Sequence, residues 1–358
     1  MTDRQRPLRV AIVGANRDYG WGGSAHMKAL SSLPDFKVVA VCNSTEDSAR
    51  SNAEHFNVPD AYSSIGDLAG ADGIDLVSVC VWVGRHGEII KPLLAAGKSV
   101  LCEWPLGQTT REAEELAALA GQHNARSFVG LQGRLAPAVR QAREIIKGGE
   151  IGAITSVRIE QALPFQARPS KRTVYLQSAE SGADFLSVPV AHALDVMLQC
   201  TGPLAAVAGF THTSVPEVVE MESGAAIRRT SPDQMAFAGA LPNRAPVSGL
   251  FRGGTEENEG FSLEVFGVAG GVRIHGPVGG RAQMAPLALQ VRKGAGIYRE
   301  FAIPDSEIRR DEALGLGANV HRLYEEIAKG WNDDDISVAN FEGSIELHRL
   351  IDAIRGNP

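Results

Sequence analysis

The strongest chemical signal lies near the start of the chain. Leu8-Arg9-Val10-Ala11-Ile12-Val13 reads as a buried strand, and it runs into Gly14-Ala15-Asn16-Arg17-Asp18-Tyr19-Gly20-Trp21-Gly22-Gly23 ahead of a helix from Ser24. A Gly-rich turn between a first strand and a first helix presents backbone N–H groups to a pyrophosphate. The spacing departs from G-x-G-x-x-G, because Asn16 stands at the second glycine and extra residues precede Gly20. Asn tolerates a left-handed backbone better than most non-glycine residues, so the turn is still expected to form. Gly14, Asn16 and Gly20 are thus candidates for cofactor contact, with a plain tight turn as the alternative. The second strand, Phe36–Cys42, ends in Asn43-Ser44-Thr45 without the carboxylate that reads a ribose 2′-hydroxyl. Arg50, farther along, could reach a 2′-phosphate or simply lie in solvent. Asn43, Ser44 and Arg50 therefore leave the cofactor as NADP or NAD, with NADP mildly preferred. Cys42, Cys80, Cys102 and Cys200 lack metal-ligand spacing and read as small buried hydrophobes, so no metal is expected.

These groups need a scaffold, and 358 residues is too long for one ordinary core. At roughly 100–200 residues per domain, two domains are expected. The chain is 44% hydrophobic and 22% charged, which excludes wholesale disorder. A net charge of −7 argues against nucleic acid or an anionic membrane as partner. No apolar run approaches the ~20 residues of a spanning helix, and the start, Met1 to Pro7, lacks the apolar stretch of a secretory signal. A cytoplasmic location is expected.

Further apolar runs at 75–81, 99–102 and 127–131 alternate with amphipathic stretches such as 111–123, for which Thr109 or Thr110 is a plausible N-cap. Continuous apolar runs suit parallel strands covered on both faces. Residues 1–132 are read as a Rossmann domain with a doubly wound parallel sheet. Residues 133–358 are read as an α+β domain for substrate and oligomerisation, with a large, mostly antiparallel open sheet. Its strands are expected at 156–163, 205–212, 234–241, 246–252, 262–267, 271–275 and 287–292. Helices are expected at 138–147, 190–200, 319–329 and 338–355, the last two able to pack back on the first domain. The segment 166–182 reads as a loop able to cover a cleft. An open sheet face left uncovered implies a homodimer or homotetramer.

The motifs together resemble the glucose–fructose oxidoreductase, inositol dehydrogenase and MocA family over nearly the whole chain. They are the lengthened first turn, Val81-Trp82-Val83-Gly84-Arg85-His86, Cys102-Glu103-Trp104-Pro105-Leu106, Leu131-Gln132-Gly133-Arg134, Gly149-Glu150-Ile151-Gly152, and Asp184 with His192-Ala193-Leu194-Asp195. The Gly14, Asn16, Gly20, Trp21, His26 pattern and the Glu-Trp pair are most similar to the fungal galactose-regulon repressor branch. The resemblance implies cofactor contacts from Trp21, Val81, Trp82, His86, Glu103, Trp104 and Gln132. It implies His192 as acid/base, with Trp104, Arg134, Asp184 and Asp195 beside a small sugar-like substrate. Trp104 occupies the position of the family's catalytic Lys, and Val188 that of its Asp. His remains suited to taking a hydroxyl proton near neutral pH while hydride leaves for the nicotinamide. An NAD(P)-dependent oxidoreductase acting on a sugar, sugar acid or polyol is the preferred expectation. A non-catalytic dinucleotide sensor acting through a protein partner is the alternative.

Overall fold

The computed structural model describes residues 6–284, 286–331 and 336–356, so the amino-terminal residues 1–5 read above for a leader lie outside the described ones. The chain divides into two compact units, residues 1–132 with 313–346, and residues 133–312 with 347–358.

In the first unit the apolar runs become six strands: β1 (Leu8–Val13), β2 (Phe36–Cys42), β3 (Asp60–Tyr62), β4 (Leu76–Val79), β5 (Ser99–Glu103) and β6 (Ser127–Gly130). They form one parallel sheet in the order β3-β2-β1-β4-β5-β6. Strand order reverses at β1, and the crevice at the carboxyl ends of β1 and β4 is where such sheets bind ligands. The helices are α1 (Lys28–Leu30, continuing a wider turn over Gly22–Met27), α2 (Glu46–Phe56), α3 (Ile65–Gly70), α4 (His86–Ala95) and α5 (Thr110–Gln122). Thr109 caps α5 by accepting from the Glu112 N–H at 3.2 Å, and Thr45 caps α2 through Ser48 at the same distance. The short, largely exposed β3 carried no apolar run to announce it.

The second unit holds α6 (Pro137–Lys147), α7 (Ala191–Thr201) and a second sheet. Its strands are β7 (Ile154–Ala162), β8 (Ala206–His212), β11 (Gln234–Ala240), β12 (Pro246–Arg252), β13 (Gly260–Gly267), β14 (Gly270–His275), β15 (Ala288–Lys293) and β16 (Arg299–Phe301), with β9 (Glu217–Val219) and β10 (Ala226–Arg228) forming a separate hairpin. The order is β16-β15-β14-β13-β7-β12-β11-β8. All pairings are antiparallel except β12 with β7, where the first strand of the unit is inserted between later ones. Burial alternates along β12, with Val247, Gly249 and Phe251 inward and Ser248 and Leu250 outward, the period of a sheet covered on one face. The chain closes with α8 (Asp305–Leu314), α9 (Ala318–Lys329) and α10 (Phe341–Arg355). Helix α9 belongs to the first unit, where a Cβ on Gly317 would lie 3.0 Å from the Ala25 carbonyl oxygen.

The segment 166–182 is irregular, as expected, but it is tied down. The buried Arg229 guanidinium donates to Gln177 Oε1 at 2.6 Å, to the Gln166 carbonyl at 2.6 Å and to Asp233 at 2.9 Å. Two charge-assisted bonds fasten the segment to Arg229, and the third ties Arg229 to Asp233 ahead of β11, which makes the segment a strap and not a free cover.

Candidate functional site

The Gly-rich turn is built by close approach. Gly14 has φ +88°, and a Cβ there would sit 2.7 Å from the Cys80 carbonyl oxygen. A Cβ on Gly22 would lie 2.7 Å from the Gly14 carbonyl oxygen, and one on Gly23 only 1.8 Å from that of Asn16. Three positions thus exclude any side chain, and Gly22 and Gly23 matter as much as Gly14 and Gly20. Asn16 corrects the expectation placed on it: its backbone is not left-handed. Its Oδ1 instead accepts from the N–H groups of Asp18 at 2.9 Å and Tyr19 at 3.3 Å, an Asx turn that spares the missing glycine. Asn52 on α2 holds the lengthened loop by accepting from the Arg17 N–H at 3.0 Å. The Trp21 indole N–H is buried without a protein partner and is available to an acceptor on a ligand. A side-chain-free cradle and this orphaned donor fit a dinucleotide phosphate. Asn43 donates to the Ala15 carbonyl at 2.8 Å, closing the end of β2 onto the turn, while Ser44 is exposed. Arg50 pairs with Glu46 at 2.6 Å on the surface of α2, so it is engaged along its own helix.

Around β4 and β5 the motif residues take unequal roles. Glu103 Oε1 meets His26 Nε2 at 2.9 Å, His26 Nδ1 meets the Tyr324 hydroxyl at 2.8 Å, and that hydroxyl meets Ser78 Oγ at 2.7 Å. An ionised carboxylate only accepts, so His26 Nε2–H donates to Glu103. Nδ1 then accepts from Tyr324 O–H, whose oxygen takes the Ser78 proton. The chain of donations ends on the sole partly exposed member, Glu103, whose side chain is 13% exposed. Tyr324 and Ser78 were invisible in the sequence. Nothing links Tyr324 to a histidine 298 positions away except the tertiary fold.

His86 is corrected from cofactor contact to staple. It is buried, with Nε2 3.1 Å from the Val81 carbonyl oxygen and Nδ1 3.2 Å from that of Leu106 and 3.1 Å from Cys102 Sγ. A neutral ring has one N–H, so Nε2–H donates to the Val81 carbonyl and Nδ1 accepts from the Cys102 S–H, with the Leu106 carbonyl oxygen only in contact, which binds the loop after β4 to the end of β5. Burial lowers its pKa, keeping the ring neutral. Cys102 and Cys80 are buried too, and burial pushes both thiols well up, so neither offers a thiolate. Trp82 is 43% exposed, with Gly84 lying where its Cβ would strike the indole at 2.6 Å. Val81 presses its Cγ1 toward Gly14. Trp104 is buried at 5% exposure, which leaves little ring surface for stacking on a ligand. Gln132 is buried with Oε1 lacking a partner.

In the second unit, α7 carries His192 one turn before Asp195. Asp195 takes two bonds from Arg134, at 2.5 and 3.1 Å, and does not orient His192. Burial pushes the Asp195 carboxyl up, against the pull of Arg134. His192 is 4% exposed, its Nδ1 is buried without a partner, and among the described residues no hydrogen bond involves its ring. Burial, then the positive charges of Arg134 and Arg281, push its pKa down to about 3. The ring is a neutral, unengaged base. Asp184, expected beside substrate, is fully buried and accepts from Ser187 N–H and O–H, both at 2.8 Å, and from Arg355 at 2.7 Å. It locks Arg355 of α10 to the turn before α7 and has no exposed surface. Among the described residues no group of three or more His, Cys, Asp or Glu could hold a metal, and the four cysteines are unpaired and buried.

Comparison with known proteins divides at the same place as the fold. Residues 8–131 match the oxidoreductase-family NAD-binding Rossmann fold, GFO/IDH/MocA, and residues 137–276 match the Gal80p C-terminal domain. The galactose/lactose metabolism regulatory protein GAL80 of Kluyveromyces lactis is 29% identical over 76% of this chain, which spans 65% of that protein's length. Dehydrogenase aclE of Aspergillus oryzae is 25% identical over 97% of this chain and 95% of its own. The crystal structure of the transcriptional regulator Gal80p from Kluyveromyces lactis superimposes with a TM-score of 0.85, 26% identity, 98% coverage of this chain and 92% of that one. No helix of the described residues is long and apolar enough to cross a membrane.

Proposed function

We propose that this chain, which joins a GFO/IDH/MocA NAD-binding Rossmann domain at residues 8–131 to a Gal80p C-terminal-like domain at residues 137–276, is an NAD(P)-dependent oxidoreductase with His192 as acid/base. The substrate class is a sugar-like molecule carrying a secondary hydroxyl. One observation carries this reading. A neutral histidine, 4% exposed and with no hydrogen bond to its ring among the described residues, stands beside Asp195 and Arg134, which engage each other and leave it free to act. A structural histidine normally satisfies its nitrogens.

The dinucleotide would lie in the cradle of Gly14, Gly22 and Gly23, with its phosphates near Trp21, and its nicotinamide supplies the hydride chemistry. His192 accepts the hydroxyl proton as the carbinol carbon is oxidised and returns it in the reverse direction. Glu103, held by His26 and Tyr324, recognises cofactor hydroxyls or amide. The end of β2 has no carboxylate to exclude a 2′-phosphate, so NADP is accepted alongside NAD. Absorbance at 340 nm, with NADH or NADPH and a panel of sugars, sugar acids, polyols and their keto forms, tests the reading. Steady turnover that disappears with His192→Ala is the expected result.

The family's Lys position is filled by Trp104, buried at 5% exposure, and its Asp position by Val188. These replacements favour a second reading, a dinucleotide-binding sensor that acts through a protein partner. Tight cofactor binding with no turnover on any of the panel would establish it. In either case the outer face of the second sheet supports self-association. Ala206, Ala208, Ala236, Ala238, Leu250 and the 70% exposed Phe210 form its apolar half. Glu300, Gln290, Arg273, Glu264 and Arg158 cross its other half as one hydrogen-bonded row. A homodimer or homotetramer that Phe210→Asp dissociates in light scattering is the expected form.

A further inference from the structure

The cluster around His192 holds one cation too many. Arg134 is balanced by Asp195 at 2.5 Å, and His192 is neutral. Arg281 has no such balance. Its guanidinium is half-buried, its recorded contact is the Met284 thioether at 3.9 Å, and no carboxylate pairs with it among the described residues. Two buried arginines of the unit do find acids: Arg229 has Asp233 at 2.9 Å and Arg355 has Asp184 at 2.7 Å.

The placement of Arg281 is built into the fold. It sits in the turn between β14 and β15, where Ala282 and Gln283 are buried. A Cβ on Gly133 would lie 3.1 Å from Gln283 Cα, 3.2 Å from the Ala282 carbonyl oxygen and 3.2 Å from Val196 Cγ2. The glycine next to Arg134 thereby lets the turn close against α7 one helical turn past His192, near enough for the charge of Arg281 to act on that ring. The charged and titratable groups meeting there are His192, Asp195 and Cys200 on α7, Arg134 beside Gly133, Arg281 on the turn and Arg143 on α6.

We propose that Arg281 receives an anionic group, a carboxylate, on the ligand that His192 serves, so that the substrate is a hydroxy acid of the sugar-acid type and not a neutral polyol. This rests on His192 facing the ligand, as proposed above. A half-desolvated guanidinium lacking a partner is costly, and a bidentate carboxylate supplies the partner geometry it is built for. The anion also does chemical work. Its charge offsets that of Arg281, which makes His192 a stronger base once the substrate is in place.

The test uses the full chain with NADH present. Calorimetric titrations would compare gluconate and galacturonate with sorbitol and galactose, with acetate as the bare carboxylate, while ¹⁵N NMR follows the His192 ring. The sugar acids should bind more tightly than their neutral counterparts, and Arg281→Gln should weaken them by about tenfold or more while leaving neutral sugars unchanged. Arg281→Lys should keep part of the preference as a point charge. The His192 titration midpoint should rise when acetate or a sugar acid binds, and also in Arg281→Gln without ligand, a change that a merely structural arginine would not produce. Neutral polyols binding as well as acids, or acid affinity unchanged in Arg281→Gln, overturns this inference and leaves the oxidoreductase reading intact. A wild-type chain that binds neither class and shows no movement of the His192 signal overturns both.

Discussion

Two histidines, one in each unit, are buried almost equally and both have their basicity lowered by burial, yet the chain uses them in opposite ways. His86 is 1% exposed and His192 is 4% exposed. His86 has both nitrogens engaged, Nε2–H on the Val81 carbonyl and Nδ1 on the Cys102 thiol, and it holds together the segments at the end of the parallel sheet. His192 has a buried, unsatisfied Nδ1 and two arginines beside it. Burial and residue type are alike; the partners differ. A satisfied histidine belongs to the stability of the fold, whereas an unsatisfied one is held in readiness for something that binds.

The largest way to break that contrast is through turnover. His192→Gln should lower kcat by about 10²–10⁴-fold, the usual worth of a positioned acid/base, while the unfolding midpoint stays close to wild type. Comparable rates in the variant would place the proton transfer elsewhere. His86→Ala should do the reverse, destabilising the first unit by about 2–4 kcal/mol in urea titrations by opening a cavity and orphaning the Val81 carbonyl. If turnover fell while the urea midpoint held, the staple role would be wrong.

A smaller effect is expected one step away, at the relay on Glu103. Tyr324→Phe leaves Ser78 and His26 Nδ1 short of a partner and should cost about 1–3 kcal/mol of stability. NADH affinity, read by fluorescence titration, should weaken with it if His26 orients Glu103 toward the cofactor. The smallest effect is on pH. Three buried histidines, His86, His192 and His348, protonate in the unfolded chain near 6.5 but stay neutral in the native one because burial lowers their pKa, that of His192 to about 3 and that of His348 to about 4. The unfolded state then binds more protons, so stability is full above 6.5 and declines as pH falls below it. Denaturation at pH 7 and pH 5 should show that decline, and His192→Gln should flatten part of it. A stability that rises on acidification would contradict the neutral state assigned to these three rings.

Much of the architecture was legible because it rests on local patterns. The runs at Leu8–Val13 and Phe36–Cys42 match their strands residue for residue, since a parallel strand covered on both faces is a near-continuous apolar run, broken here only by Arg9 and Lys37 near the start. Thr109 announced α5 through its capping hydroxyl. Less was legible where a partner lies far along the chain. Asp184 looked like a substrate ligand because nothing local shows that Arg355 reaches it at 2.7 Å, and Arg50 looked free because its pairing with Glu46 is one choice of rotamer among several. The parallel insertion of β7 beside β12 was hidden for the same reason.

The sequence by itself determined the elements, the glycines of the cradle and the residue types available for chemistry, because periodicity and steric tolerance are properties of neighbouring residues. Tertiary structure alone decided which polar groups are satisfied. It joined His26 to Tyr324, spent Asp195 on Arg134, sealed His86 between two loops and left His192 and Arg281 without acids. Hydrogen-bond satisfaction depends on groups that meet only after the chain has folded, and it is that accounting, more than residue identity, that separates a structural histidine from one that can take a proton.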